Sequence, residues 1–291
     1  MEQGSYLDRR EGEVTELRKV ITDYIDQVTA HKKGWRAETN RLKQIAKKAP
    51  FSRKAIAKVT PGDISGWRNR RLEEAARNTV RNDMLTLSAV YQHAMKEWRI
   101  VDSNPVRAVK WPSPGKPRAR RLRPGEEAKL LEHADPATGS VLRVLLETGM
   151  RIGELLSVTY PGMLDLEERV IRLPDTKNDT MREVPLSAET ADMLWAHAAS
   201  IETERLWPWA YHQWRYRFDK IRTAAGITDL RTHDLRHEGV SRLQEAGLDV
   251  FEIAAISGHK TLANLGRYTH PRVQTLRDKL DKLRGGGASD L

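Results

Sequence analysis

The chain has 291 residues, enough for two domains that each bury a core, and its 50 Lys and Arg against 40 Asp and Glu give a net charge of +10. That excess favours a polyanionic partner (DNA, RNA or an anionic membrane face) without choosing among them. With no cysteine, disulfides, thiolate nucleophiles and cysteine-ligated zinc are excluded. With no long apolar run and no basic-then-apolar leader at Met1, a soluble cytoplasmic protein without membrane association is expected.

Residues 1–13 are polar and aperiodic and read as a flexible tail. From Val14 the pattern turns helical, with Leu17, Val20, Ile21, Tyr24, Ile25 and Val28 on one face. A second helix over 37–49 carries Lys43, Lys47 and Lys48, a basic side able to meet phosphates, and stops at Pro50. Thr60 can cap a third helix with Pro61 in its first turn, running to Glu74. A fourth, over 78–98, sets Val80, Met84, Leu87, Val90, Tyr91, Ala94 and Trp98 at helical spacing. These apolar faces suffice for a small bundle over 14–110.

Residues 111–123 then form a linker. Pro112, Pro114 and Pro117 disfavour helix, and Arg118, Arg120, Arg121 and Arg123, with no acidic residue among them, suit an extended strap on a phosphate backbone.

The second domain, 124–284, opens on a helix at Pro124-Gly125-Glu126-Glu127, whose acids suit its N-terminal dipole. Val141 to Glu147 is a compact apolar helix that Thr148-Gly149-Met150 interrupts. Helical spacing resumes at Arg151-Ile152-Gly153-Glu154, where Glu154 can hold the arginine rigid. Val170 to Leu173 and Arg182 to Leu186 predict an antiparallel β-hairpin with Lys177 at its tip or base. Helices follow over 188–197 and 211–224, with Trp195, Trp207, Trp209 and Trp214 expected to pack between them.

Thr232 is the expected cap of a helix that ends at Gly247 and presents His233 and Arg236 on one face. His237 stands four residues from His233, the spacing of a metal-binding pair, but Arg236 between them opposes a cation and no HExxH order exists. No metal and no cofactor are expected. Val250, Ile253 and Ile256 mark a short buried helix ending at Ser257-Gly258, which puts His259 at the start of the stretch leading to Tyr268. A phenol with a pKa of about 10 is protonated at neutral pH, so Tyr268 becomes a nucleophile only if neighbours take its proton and stabilise the charge it creates.

Four motifs, Thr148-Gly149-Met150-Arg151-Ile152-Gly153-Glu154-Leu155, Lys177 in the hairpin closed by Arg182-Glu183-Val184-Pro185-Leu186, His233-Asp234-Leu235-Arg236-His237, and Gly258-His259 ahead of Tyr268, resemble in order and spacing the tyrosine recombinases of the phage integrase family. Residues 14–110, with Asn104-Pro105 near their end, also resemble that family's core-binding domain. Two departures are Leu265-Gly266 before Arg267, where many relatives have a threonine nearby, and a first 13 residues too short for a separate arm-site domain.

The resemblance implies a mainly α fold: an N-terminal SAM-like helical bundle, then a mostly helical catalytic domain with a small antiparallel sheet. It implies site-specific cleavage and rejoining of double-stranded DNA for integration, excision or inversion. Arg151 and Arg236 would bind the scissile phosphate, as planar guanidinium forks suit it. His233 and His259 would donate to the phosphate or handle the tyrosine proton. Lys177 would protonate the leaving 5′ oxygen, and Tyr268 would form a 3′-phosphotyrosyl bond.

A homotetramer on paired DNA sites is the implied assembly. The stripe Val273, Leu276, Leu280 and Leu283 would dock on its own domain or in trans on a neighbour, and 285–291 would be a flexible end. The rival readings are a type IB topoisomerase-like nicking and religation without strand exchange, and a catalytically silent DNA-binding protein.

Overall fold

The computed structural model describes residues 9–115, 118, 120–174 and 181–261 and the single positions 265, 277 and 281. The chain divides into two compact units, 1–117 and 118–291, the boundary falling inside the stretch expected as a linker.

The first unit holds α1 (Arg9–Val14), α2 (Leu17–Gln27), α3 (Trp35–Lys48), α4 (Pro61–Glu74) and α5 (Arg77–Lys96). The stripes read from spacing on α2 and α5 enter its core, where Leu17, Ile21, Met84, Leu87 and Tyr91 are buried together with Leu42 of α3 and Ile64 of α4. The start of α4 is fixed reciprocally. The Thr60 hydroxyl accepts from the Asp63 amide at 3.2 Å and the Asp63 carboxylate accepts from the Thr60 amide at 2.9 Å, with Pro61 in the first turn.

Residues 9–13 differ from the expected tail, because they belong to α1. That helix docks through its backbone. A Cβ at Gly12 would lie 1.9 Å from the Ile100 carbonyl oxygen, and a contact made by the absence of a side chain leaves no apolar period to read.

The second unit holds α6 (Glu126–Glu132), α7 (Pro136–Thr148), α8 (Ile152–Leu155), β1 (Leu164–Asp165), β2 (Val170–Leu173), β3 (Arg182–Pro185), α9 (Ala188–Ala199), α10 (Tyr211–Ala224), α11 (Thr232–Glu245) and α12 (Val250–Ser257). The predicted hairpin pairs Leu173 with Arg182 and Val170 with Pro185, and β1 adds a third antiparallel strand by pairing Leu164 with Ile171. The hairpin turn, 175–180, lies outside the described residues.

Helix α7 begins earlier than expected. The Asp135 side chain caps it by accepting from the Thr138 amide at 2.9 Å, with Pro136 as the first helical residue. Helix α11 is closed not by Thr232 but by Asp234, which accepts from the Arg231 amide at 2.8 Å; the Thr232 hydroxyl instead accepts from the Trp214 indole at 3.1 Å.

Trp207 and Trp214 are fully buried, each worth about 1.5–3 kcal/mol of transfer free energy or more, and Trp209 packs partly against the same core. Trp195 departs from the expectation. It lies 57% exposed on α9, whose inward positions are taken by Ala191, Leu194 and Ala198.

Helices α7 and α11 meet backbone to backbone. A Cβ at Gly239 would stand 2.6 Å from the Leu145 carbonyl oxygen and 2.9 Å from the Gly149 nitrogen. Gly149 itself ends α7 with φ +61, a conformation that a larger residue adopts only with strain. This close approach brings the loop bearing Arg151 beside the helix bearing Arg236.

Candidate functional site

Arg236 is buried on α11 at 5% exposure. Its Nη1 donates to the main-chain carbonyls of Gly149 at 2.7 Å and Ser257 at 2.8 Å, so one nitrogen gauges the end of α7 and the end of α12 together. Its Nη2 lies 3.1 Å from His259 Nε2 and 3.3 Å from Nδ1. A guanidinium only donates, so the imidazole nitrogen that it meets accepts. His259 Nδ1 is 2.6 Å from the Ser257 hydroxyl, which itself donates to the Ile253 carbonyl at 2.5 Å. With the serine proton used in that way, Nδ1–H is the donor to Ser257 and the ring is held in one orientation.

Arg151 is the residue before α8, in extended conformation, and its side chain is 41% exposed. Its Nη1 donates to Glu154 Oε1 at 2.7 Å, its amide to Glu154 Oε2 at 3.0 Å, and its Nη2 to the Gly258 carbonyl at 2.8 Å. Glu154, read from spacing as the brace for Arg151, therefore is one. Burial pushes the Glu154 carboxyl up, but hydrogen bonds from Arg182 and Arg151 outweigh it and leave the group below the ordinary glutamate value.

Helix α12 stops at Gly258, φ +72, and this glycine is required twice. The left-handed conformation disfavours a side chain, and a Cβ there would sit 2.6 Å from the Arg182 guanidinium carbon.

Arg151, Arg236 and His259 are thus brought to one turn. His233, solvent-exposed, stands one helical turn before Arg236, its ring edge-on to His237 at 4.6 Å between centroids. Among the described residues no group of three or more His, Cys, Asp or Glu side chains is arranged to hold a metal ion. Lys177, Tyr268 and the stripe of Val273, Leu276, Leu280 and Leu283 lie outside the described residues.

Lys43 and Lys47 are exposed on α3 in the first unit. The strap arginines meet carboxylates of their own unit. Arg118 pairs with Asp234, and Arg121 with Glu238 and Glu245. Arg120 pairs with Glu126 and Asp229, and Arg123 with Asp229.

Sequence reasoning missed Arg182, which joins Glu154 and the α12 terminus. The available signal was strand alternation: Arg182 shares a face with the buried Val184, and an arginine on the inward side of a strand needs a buried acceptor. It also missed Ser257, a fully buried polar residue that no pattern distinguishes from a helix-ending serine.

Residues 120–275 match the model of the phage integrase family. The chain is similar to the shufflon-specific DNA recombinase of Escherichia coli, with 35% identity over 283 residues that cover 92% of this chain and 72% of the relative. In fold it is similar to the Tn1549 transposon integrase in complex with transposon right end DNA, with a TM-score of 0.73 and 20% identity over 93% of this chain and 100% of that one. It is likewise similar to lambda integrase as a tetramer bound to a Holliday junction, with a TM-score of 0.74 and 18% identity over 92% and 81% of the two chains. No helix among the described residues is long and apolar enough to cross a membrane.

Proposed function

The chain belongs to the phage integrase family and is a tyrosine-type site-specific DNA recombinase, and on that premise we propose that Tyr268 is its nucleophile and that Arg151, Lys177, His233, Arg236 and His259 complete the reacting set. The observation that carries this reading is the convergence of Arg151, Arg236 and His259 on the turn that ends α12.

The Tyr268 oxygen attacks phosphorus and the bond to the 5′ oxygen breaks. The phenol proton leaves through a histidine, and Lys177 gives a proton to the departing oxygen. Two arginine forks bear the charge on the non-bridging oxygens, which is where it grows in the transition state. The phosphotyrosyl link keeps the bond energy, so a 5′-hydroxyl from a second site rejoins the strand with no energy source. Repeated at paired sites, this integrates, excises or inverts a DNA segment.

Lys43 and Lys47 contact phosphates from the first unit and Arg123 from the second. The assembly is a homotetramer on paired sites in the cytoplasm, with 273–283 docking on a neighbouring subunit; the solved lambda integrase tetramer on a Holliday junction supports the stoichiometry.

The test is a half-site with a nick near the cleavage point. Its short 5′-hydroxyl fragment diffuses away and strands the intermediate, so protein and DNA migrate together after denaturation and peptide mapping finds the nucleotide on Tyr268. Tyr268→Phe keeps the ring and gives no adduct while binding DNA normally; a tyrosine with a packing role alone loses at most about 0.5–1.5 kcal/mol of stability. An adduct in Tyr268→Phe, or one mapped to Tyr211 or Tyr216, overturns the assignment.

A further inference from the structure

Arg182 opens β3 with its side chain turned inward, 11% exposed. Its Nη2 donates to Glu154 Oε2 at 2.7 Å and its Nη1 reaches Oε1 at 3.4 Å, while its Nε donates to the Ile256 carbonyl at 3.3 Å. The same guanidinium lies against Gly258, so closely that a Cβ there would fall 2.6 Å from both its carbon and its Nη1. One side chain therefore ties three segments: the hairpin strand, the start of α8 where Arg151 sits, and the turn whose next residue is His259.

The charges add a second consequence. Glu154 is shared by two guanidiniums, so the trio keeps one net positive charge. Were Glu154 bound to Arg151 alone, the carboxylate would neutralise the fork that faces the substrate phosphate and compete with it for the same N–H groups.

We propose that Arg182 is a positioning residue for strand cleavage: it takes half of Glu154, fixes Arg151 and the 256–259 turn together, and leaves the Arg151 fork with uncompensated charge for the scissile phosphate. This rests on the reading of Arg151 as a phosphate-binding residue. With its side chain 11% exposed and its guanidinium bonded to Glu154 and the Ile256 carbonyl, Arg182 is expected to act on the rate of cleavage and not on affinity.

The experiment measures single-turnover adduct formation on the nicked half-site, with DNA affinity and thermal melting of the same protein. Arg182→Gln keeps two donor hydrogens but loses the charge. It is expected to bind DNA as wild type does and to cleave about 100-fold more slowly, the scale set by small misplacement of a reacting group. Arg182→Lys keeps the charge without the fork and is expected to fall between the two.

The discriminating variant is Arg182→Gln with Glu154→Gln. Removing the carboxylate charge as well restores the net positive charge at Arg151, so the double variant cleaves faster than Arg182→Gln alone. A part serving only the fold would make it slower. Wild-type rates in Arg182→Gln, a loss that tracks affinity or melting temperature, or a double variant no faster than the single one overturns the inference. Failure of the wild-type protein itself to form the adduct would instead remove the reading on which it rests.

Discussion

Two main-chain carbonyls on a single arginine nitrogen make Arg236 a gauge of backbone position, and a lysine cannot reproduce it. An ammonium at the end of a flexible stem cannot hold both carbonyls and still present a second donor in the same plane, as the guanidinium can. Arg236→Lys is therefore expected to keep DNA affinity within a few-fold and to lose about 10²–10³ in cleavage rate, the scale for removal of one oriented donor. Single-turnover cleavage beside a binding isotherm checks this, and near-normal cleavage would contradict it.

At this scale the sequence was informative where a residue type is chemically irreplaceable. Arg151, Arg236 and His259 stand in motifs whose spacing brings them together, and their contacts follow. Arg182 was hidden because its partner Glu154 lies 28 residues away: alternation with Val184 can turn it inward but does not say which acceptor it meets.

Among the elements, those with reciprocal chemistry at their ends were the legible ones. Thr60, Pro61 and Asp63 announce α4, and alternation announces β2 and β3. Helix α1 held by bare backbone at Gly12, and a two-residue β1, carry no period to detect.

The strap arginines differ in exposure and partners in a way that composition does not show. Arg120 is 9% exposed, between Glu126 and Asp229, whereas Arg123 is 67% exposed. Arg120→Ala should lower the melting temperature, through about 1–3 kcal/mol for a carboxylate left short of partners, and leave the salt dependence of DNA binding unchanged. Arg123→Ala should leave melting alone and flatten that dependence by about 0.9 log units per lost phosphate contact. Titrations at several salt concentrations with a melting curve for each variant decide it; equal slopes for the two variants would refute the division.

At the scale of the whole molecule the two units are expected to respond differently to acid. In the second, burial pushes the carboxyls of Glu126, Glu154 and Glu238 up, but arginine and main-chain donors outweigh it and hold each below the ordinary glutamate value. A lowered folded-state value gives stabilisation that is complete above the unfolded value and lost as pH falls through the folded one. With 4.5 as the ordinary value, the second unit should weaken progressively below about pH 4.5.

In the first unit Asp83 has the opposite sign. Its burial outweighs Arg71 and Arg41 and raises its value, so its protonation in acid relieves a cost and offsets the loss from the lowered Asp63. Melting followed by calorimetry from pH 7 to pH 3.5 is expected to show one transition moving to lower temperature ahead of the other. Two transitions that shift in parallel would count against it.

The turn that ends α12 has a bearing on how such a sequence can vary. Arg182, Arg236 and Arg151 reach it through the carbonyl oxygens of Ile256, Ser257 and Gly258 in succession, atoms that every amino acid possesses. A change of side chain at Ile256 leaves its carbonyl in place, but a residue inserted or deleted between Ile256 and His259 slips the whole ladder by one rung and presents each arginine with its neighbour's acceptor. The count of residues across this turn is thus under tighter constraint than their identity, Gly258 excepted, and a gap there would mark a descendant that has stopped cutting DNA even with every catalytic side chain still spelled out.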